Sequence, residues 1–111
     1  MHNQVNERDW KLFRERISGW QEAYMEKLNR EYIALLSGEG SASDRFWGLE
    51  RRVWQDKRSS GVVVQMRRSM MRHNLLSLLD EQVITLDDLD GFSDSLVSDL
   101  THMQEQYYED I

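Results

Sequence analysis

Eight large apolar residues, Trp10, Phe13, Ile17, Trp20, Tyr24, Leu28, Tyr32 and Leu35, follow one another at steps of three or four. A helix of 3.6 residues per turn carries all eight on one side and leaves the Glu, Arg, Lys, Gln and Asn residues between them on the other. No proline occurs anywhere in the 111 residues, so nothing in the chain forbids long helices, and turns fall to Gly, Ser and Asn. The one weak point in the stripe is Ser18-Gly19, because glycine inside a helix costs about 1 kcal/mol relative to alanine. The helix either kinks there or ends, with another beginning near Trp20. Ser37-Gly-Glu-Gly-Ser41 closes the element.

The same spacing continues downstream. A second helix is expected from Ser41 or Ser43, with Ser41 and Asp44 as a loose capping box and Phe46, Leu49, Val53 and Trp54 on its apolar side. Lys57-Arg-Ser-Ser-Gly61 breaks it. A third element is read as helical from about Val62 to Glu81, since the "VVV" run has no second strand to pair with. The fourth carries the clearest start signal: Thr85 as cap, Asp88 at the third helical position, and Ile84 and Leu89 as a hydrophobic staple. Asp87, Asp88 and Asp90 suit the positive end of that helix dipole. Leu89, Phe92, Leu96, Leu100, Met103 and Tyr107 mark its buried side, and Ser93 after Gly91 offers a second cap. Four such stripes with short connections predict an all-α protein, one domain over residues 1–111. Its form is an antiparallel bundle or compact array of about four helices.

Several chemistries are excluded. There is no cysteine, hence no disulfide framework, thiolate metal site or thiol nucleophile. "MHNQVNERDW" lacks the apolar run of a secretory signal, and "VVV" and "LLSLL" fall far short of the roughly 18 residues a membrane span needs. A cytoplasmic protein without a membrane partner is expected. "DDLDG" at 87–91 does not fit a calcium loop, because Asp90 and Gly91 at loop positions five and six put Leu86 and Val97 where ligands belong. His2, His73 and His102 show no metal-ligand spacing, and no phosphate loop or nucleophile elbow is present. No catalytic residue, cofactor or metal is assigned, and a non-enzymatic role is expected.

Two helices are apolar on more than one side. Trp47 and Trp54 share a flank beside the main face of helix two. In the third element Val64, Met71, Leu75, Leu78 and Leu79 cluster on one side, with Val63, Met66 and Met70 opposite. Such helices are either central in the fold or half-covered by a partner. Charge is also segregated. Residues 1–44 carry net −2, residues 45–73 carry +6, and residues 74–111 carry −10 with no basic group, making up the overall −6. The basic segment either neutralises the acidic one within the fold, meets it on another copy or another protein, or grips a polyanion.

"GWQEAYMEKLNREY", "FWGLERRVWQDKRSSGV" and "VITLDDLDGFSDSL" resemble a family of short uncharacterised cytoplasmic proteins of Gram-positive bacteria. The resemblance covers roughly Trp10 to Leu100 and implies a bacterial protein without a known activity, ligand or catalytic residue. Some members carry a "multidrug transporter" label that a chain with no membrane span contradicts. The expected function is protein–protein interaction or self-assembly, with homodimerisation through the second apolar sides of helices two and three. The candidate interface is Trp47, Trp54, Met66, Arg67, Arg68, Met70 and Arg72. The alternative is a nucleic-acid or anion-binding regulator using Arg51, Arg52, Lys57, Arg58, Arg67, Arg68 and Arg72 of the basic segment 45–73.

Overall fold

The computed structural model describes residues 6–110, with side chains as far as Gln106. Four α-helices follow in order: α1 (Glu7–Ser37), α2 (Ala42–Asp56), α3 (Met71–Asp80) and α4 (Asp94–Asp110). Short 3-10 turns at Arg68–Met70 and Leu86–Leu89 precede α3 and α4. The fold is all-α, with no strand among the described residues. At 31 residues α1 is about 46 Å long, and it runs through most of a molecule measuring 57 × 33 × 22 Å.

Asn6 caps α1 by accepting the backbone N–H groups of Arg8 and Asp9 at 2.9 and 3.3 Å. The helix passes through Ser18-Gly19 unbroken, so the restart near Trp20 does not occur. Packing on both sides of that point outweighs the cost of one glycine. The two halves of α1 have different neighbours. Trp10, Phe13 and Ile17 join Met71, Leu75, Leu78 and Leu79 of α3, Ile84 and Leu89, and Phe92, Leu96 and Leu100 around α4 in one buried cluster, the head of the molecule. Beyond Tyr24 the helix gives no residue to that cluster apart from Leu28, buried but outside it, and is bonded instead to α2, which returns antiparallel to it after the Gly38–Ser41 loop. The pair forms a two-helix arm.

The third element is shorter than its periodicity predicts. Residues 63–67 are irregular, with the Arg67 N–H turned back on the Gln65 carbonyl at 2.9 Å, and the helix begins only at Met71. Three consecutive β-branched valines disfavour helix, and no side chain caps a helix start ahead of Met71. The segment is instead strapped down. Asn74 Nδ2 donates to the Gln65 carbonyl at 2.8 Å, and Glu81 accepts from the N–H and hydroxyl of the buried Ser60, both at 3.1 Å. Gln21 Nε2 donates to the Ser60 carbonyl at 3.1 Å. The proposed opposite face of Val63, Met66 and Met70 therefore does not exist as a helix face.

The fourth helix is also divided. Thr85 opens a single 3-10 turn in which the Asp88 carboxylate accepts the Thr85 N–H at 2.8 Å. Gly91, at φ 95°, then turns the chain away, and Ser93 restarts the helix by accepting the Leu96 N–H at 3.3 Å. Asp9, buried in the first turn of α1, accepts from the Ser93 N–H (2.8 Å) and hydroxyl (2.6 Å), so one carboxylate fastens the start of α4 to the start of α1. Leu96 and Leu100 are buried as expected, while the side chain of Tyr107 lies outside the described residues.

Candidate interaction surface on the helical arm

Ser41 caps α2 by accepting the Asp44 N–H at 3.0 Å, yet no residue of the helix it starts is buried. Helix α2 turns Arg45, Leu49, Arg52 and Asp56 toward α1, and the bonds across are mainly polar. Arg45 Nη1 donates to the Leu36 carbonyl at 2.7 Å, Arg52 Nη2 to Glu31 at 2.6 Å, and the Tyr32 hydroxyl to Asp56 at 2.6 Å. Arg52 also lies 3.4 Å from Asp56. The hydrogen bond to Glu31 leads the causes that hold the Arg52 guanidinium even more firmly protonated than usual.

One residue round from this seam, on both helices, the side chains are apolar and wet. Phe46 follows Arg45, Val53 follows Arg52, Ile33 follows Tyr32 and Leu36 follows Leu35. In an antiparallel helix pair these flanks face the same way. Trp47 and Trp54 extend the surface round α2. The six side chains Ile33, Leu36, Phe46, Trp47, Val53 and Trp54 are each 40–64% exposed. Phe46 and Trp47 meet edge to face at 4.9 Å between ring centroids, and the Arg58 guanidinium lies 3.6 Å above the Trp54 ring. Phe46 and Val53 were expected on a covered side; they are open to solvent instead.

The seven candidate interface residues fall on several elements. Trp47 and Trp54 stand on the arm. Met66 is exposed on the irregular segment before α3, Met70 is half-buried beside His73 and Asn74, and Arg67 is exposed with no ion pair among the described residues. Arg68 holds Glu7 at 2.9 Å and lies 5.7 Å from the Trp10 ring, whereas Arg72 holds Asp99 at 3.1 Å. Glu31, which anchors Arg52, and Glu7, which anchors Arg68, are 24 residues apart on one helix, about 36 Å. The basic segment is thereby drawn out along the molecule, and Arg52, Arg68 and Arg72 are spent on carboxylates. Only Arg72–Asp99 among the described ion pairs joins the basic segment to the acidic C-terminal one. A second cation comes from outside that segment, with Arg16 Nη1 donating to the Asp88 carbonyl at 3.0 Å. Among the described residues the expected broad seam between 45–73 and 74–111 shows one ion pair.

Ile33 and Leu36 escape a reading built on the main stripe, although two apolar residues off the stripe at a spacing of three are a signal of a second face. His73 and His102 are both exposed, on α3 and α4, and His2 lies outside the described residues. Among the described residues no group of three or more His, Cys, Asp or Glu side chains could hold a metal ion. No helix among them is long and apolar enough to cross a membrane. No protein-family model matches the chain, and neither a curated protein nor a solved structure shows significant similarity to it.

Proposed function

We propose that the protein is a non-enzymatic interaction module whose docking element is the arm formed by α1 beyond Tyr24 and α2. One observation carries this: six of the nine exposed large apolar side chains, Ile33, Leu36, Phe46, Trp47, Val53 and Trp54, stand on a helix pair that buries none of α2. Leaving them in water forgoes roughly 25 cal/mol per Å² of apolar surface, a cost a folded chain ordinarily avoids unless something covers the surface. The preferred occupant is protein rather than a polyanion, because three of the seven basic residues a phosphate backbone would need already serve carboxylates. The bacterial kinship suggested by the three sequence strings belongs to the same proposal.

A photo-crosslinking amino acid placed at position 47 or 54 in living cells should form protein adducts. The same group at Gln82, exposed on the head, should form none. Equal yields at all three positions, or none at 47 and 54, would remove the arm as the docking element.

A further inference from the structure

The six apolar side chains of the arm leave on the order of 500 Å² to solvent, taking about 150–250 Å² for a whole aromatic side chain. Soluble monomers rarely show a contiguous apolar patch beyond a few hundred Å². A standard interface takes about 800 Å² per partner, so this surface, with its polar border, is large enough for one.

The border indicates which partner. Phe46, Glu50, Val53 and Lys57 run along one flank of α2 at steps of four, three and four, the spacing of a helix-pairing seam. Glu50 and Lys57 sit on that line with opposite signs, one heptad apart. Both are exposed and neither has an ion pair among the described residues. Covering the flank with an apolar surface would strand both charges, which is costly. A second α2 laid antiparallel, about a two-fold axis between Val53 and Trp54, sets each Glu50 against the partner subunit's Lys57. The same axis sets each Val53 against the partner subunit's Trp54. A parallel arrangement, or an antiparallel one centred on Glu50, places like charges together.

We infer that the occupant of the arm is a second copy of this chain. The two arms overlap antiparallel over residues 50–57, in an isologous interface that closes on itself and brings each Phe46 level with the partner subunit's Gly61. This rests on the arm being a protein-binding surface.

Sedimentation equilibrium of the purified full chain, from micromolar to millimolar, tests it. The wild type should fit a monomer–dimer equilibrium. Trp54→Glu should raise Kd at least tenfold while keeping the wild-type circular-dichroism spectrum. Glu50→Lys and Lys57→Glu should each weaken the dimer severalfold, and the two together should restore it, because the swap regenerates opposite charges across the axis. A dimer indifferent to Trp54→Glu, or a double swap no better than its single members, overturns the inference. So does a wild type that stays monomeric. If that monomer still forms cross-links at 47 and 54 to other proteins, the docking arm stands and the second copy is wrong. If it instead binds vesicles of anionic phospholipid through Trp54, the arm is a membrane-surface element and both readings fall.

Discussion

Tyr32 closes the arm with one short hydrogen bond, its hydroxyl donating to Asp56 at 2.6 Å. Burial in the seam between α1 and α2, then that hydrogen bond and the Asp56 charge, push its pKa from 10 up to about 12. A phenol whose folded pKa is raised contributes stability in full below the unfolded value near 10 and loses it as pH rises toward 12. The arm should therefore loosen between pH 10 and 12. Ultraviolet phenolate absorbance should show a step near pH 12 that is missing in Tyr32→Phe. Two glycines make an opposite pair. A Cβ at Gly61 would run into the ring of Tyr24, whereas at Gly19 it would meet nothing within 4 Å. Gly61→Ala should cost about 1–3 kcal/mol in denaturant unfolding. Gly19→Ala, on an exposed turn of helix, should add up to ~1 kcal/mol.

Among the elements, α3 ends in a Schellman turn. Val83 N–H donates to the Leu78 carbonyl at 2.9 Å and Gln82 N–H to the Leu79 carbonyl at 3.1 Å. Gln82 occupies the left-handed position with φ 61°, a conformation that strains a residue bearing a Cβ. Gln82→Gly should stabilise the protein by about 0.5–1 kcal/mol, measured as a rise in Tm with the spectrum unchanged. Legibility differs from helix to helix for physical reasons. The span of α1 is readable because eight stripe residues outvote one glycine. The onset of α3 is not, because valines at helical spacing satisfy periodicity while their branched side chains oppose helix, and periodicity does not register that opposition. The Thr85 and Ser93 signals are both real, but only the fold shows that the first opens a 3-10 turn and the second the helix. At that turn Thr85 and Asp88 form the expected capping box, each side chain serving the other's backbone N–H.

At the scale of the molecule, charge works through single pairs. Arg72→Glu should lower stability by ~0–1 kcal/mol at low salt, the range of an exposed pair, and salt should relieve the loss by screening. Asp99→Lys should recover part of it, while Arg67→Glu should leave the melt unchanged; equal effects at 67 and 72 would restore the broad seam that the fold does not show. The segregation of charge is plain in the sequence, but where each arginine lands depends on the irregular strap before α3, which carries Arg68 to the start of α1. Likewise Trp47 and Trp54 are legible as a second apolar flank. That the flank stands on an arm clear of the head is not, since this depends on α3 and α4 packing against only the first half of α1. The same division sorts the four indoles. Trp10 is buried and Trp20 half-buried in the head, while Trp47 and Trp54 face water on the arm. The intrinsic emission of the protein should therefore be the sum of a shorter-wavelength head component and a longer-wavelength, quencher-accessible arm component. Covering the arm shifts only the second to the blue, and unfolding the head shifts only the first to the red. The chain thus carries its own label for telling occupancy from denaturation.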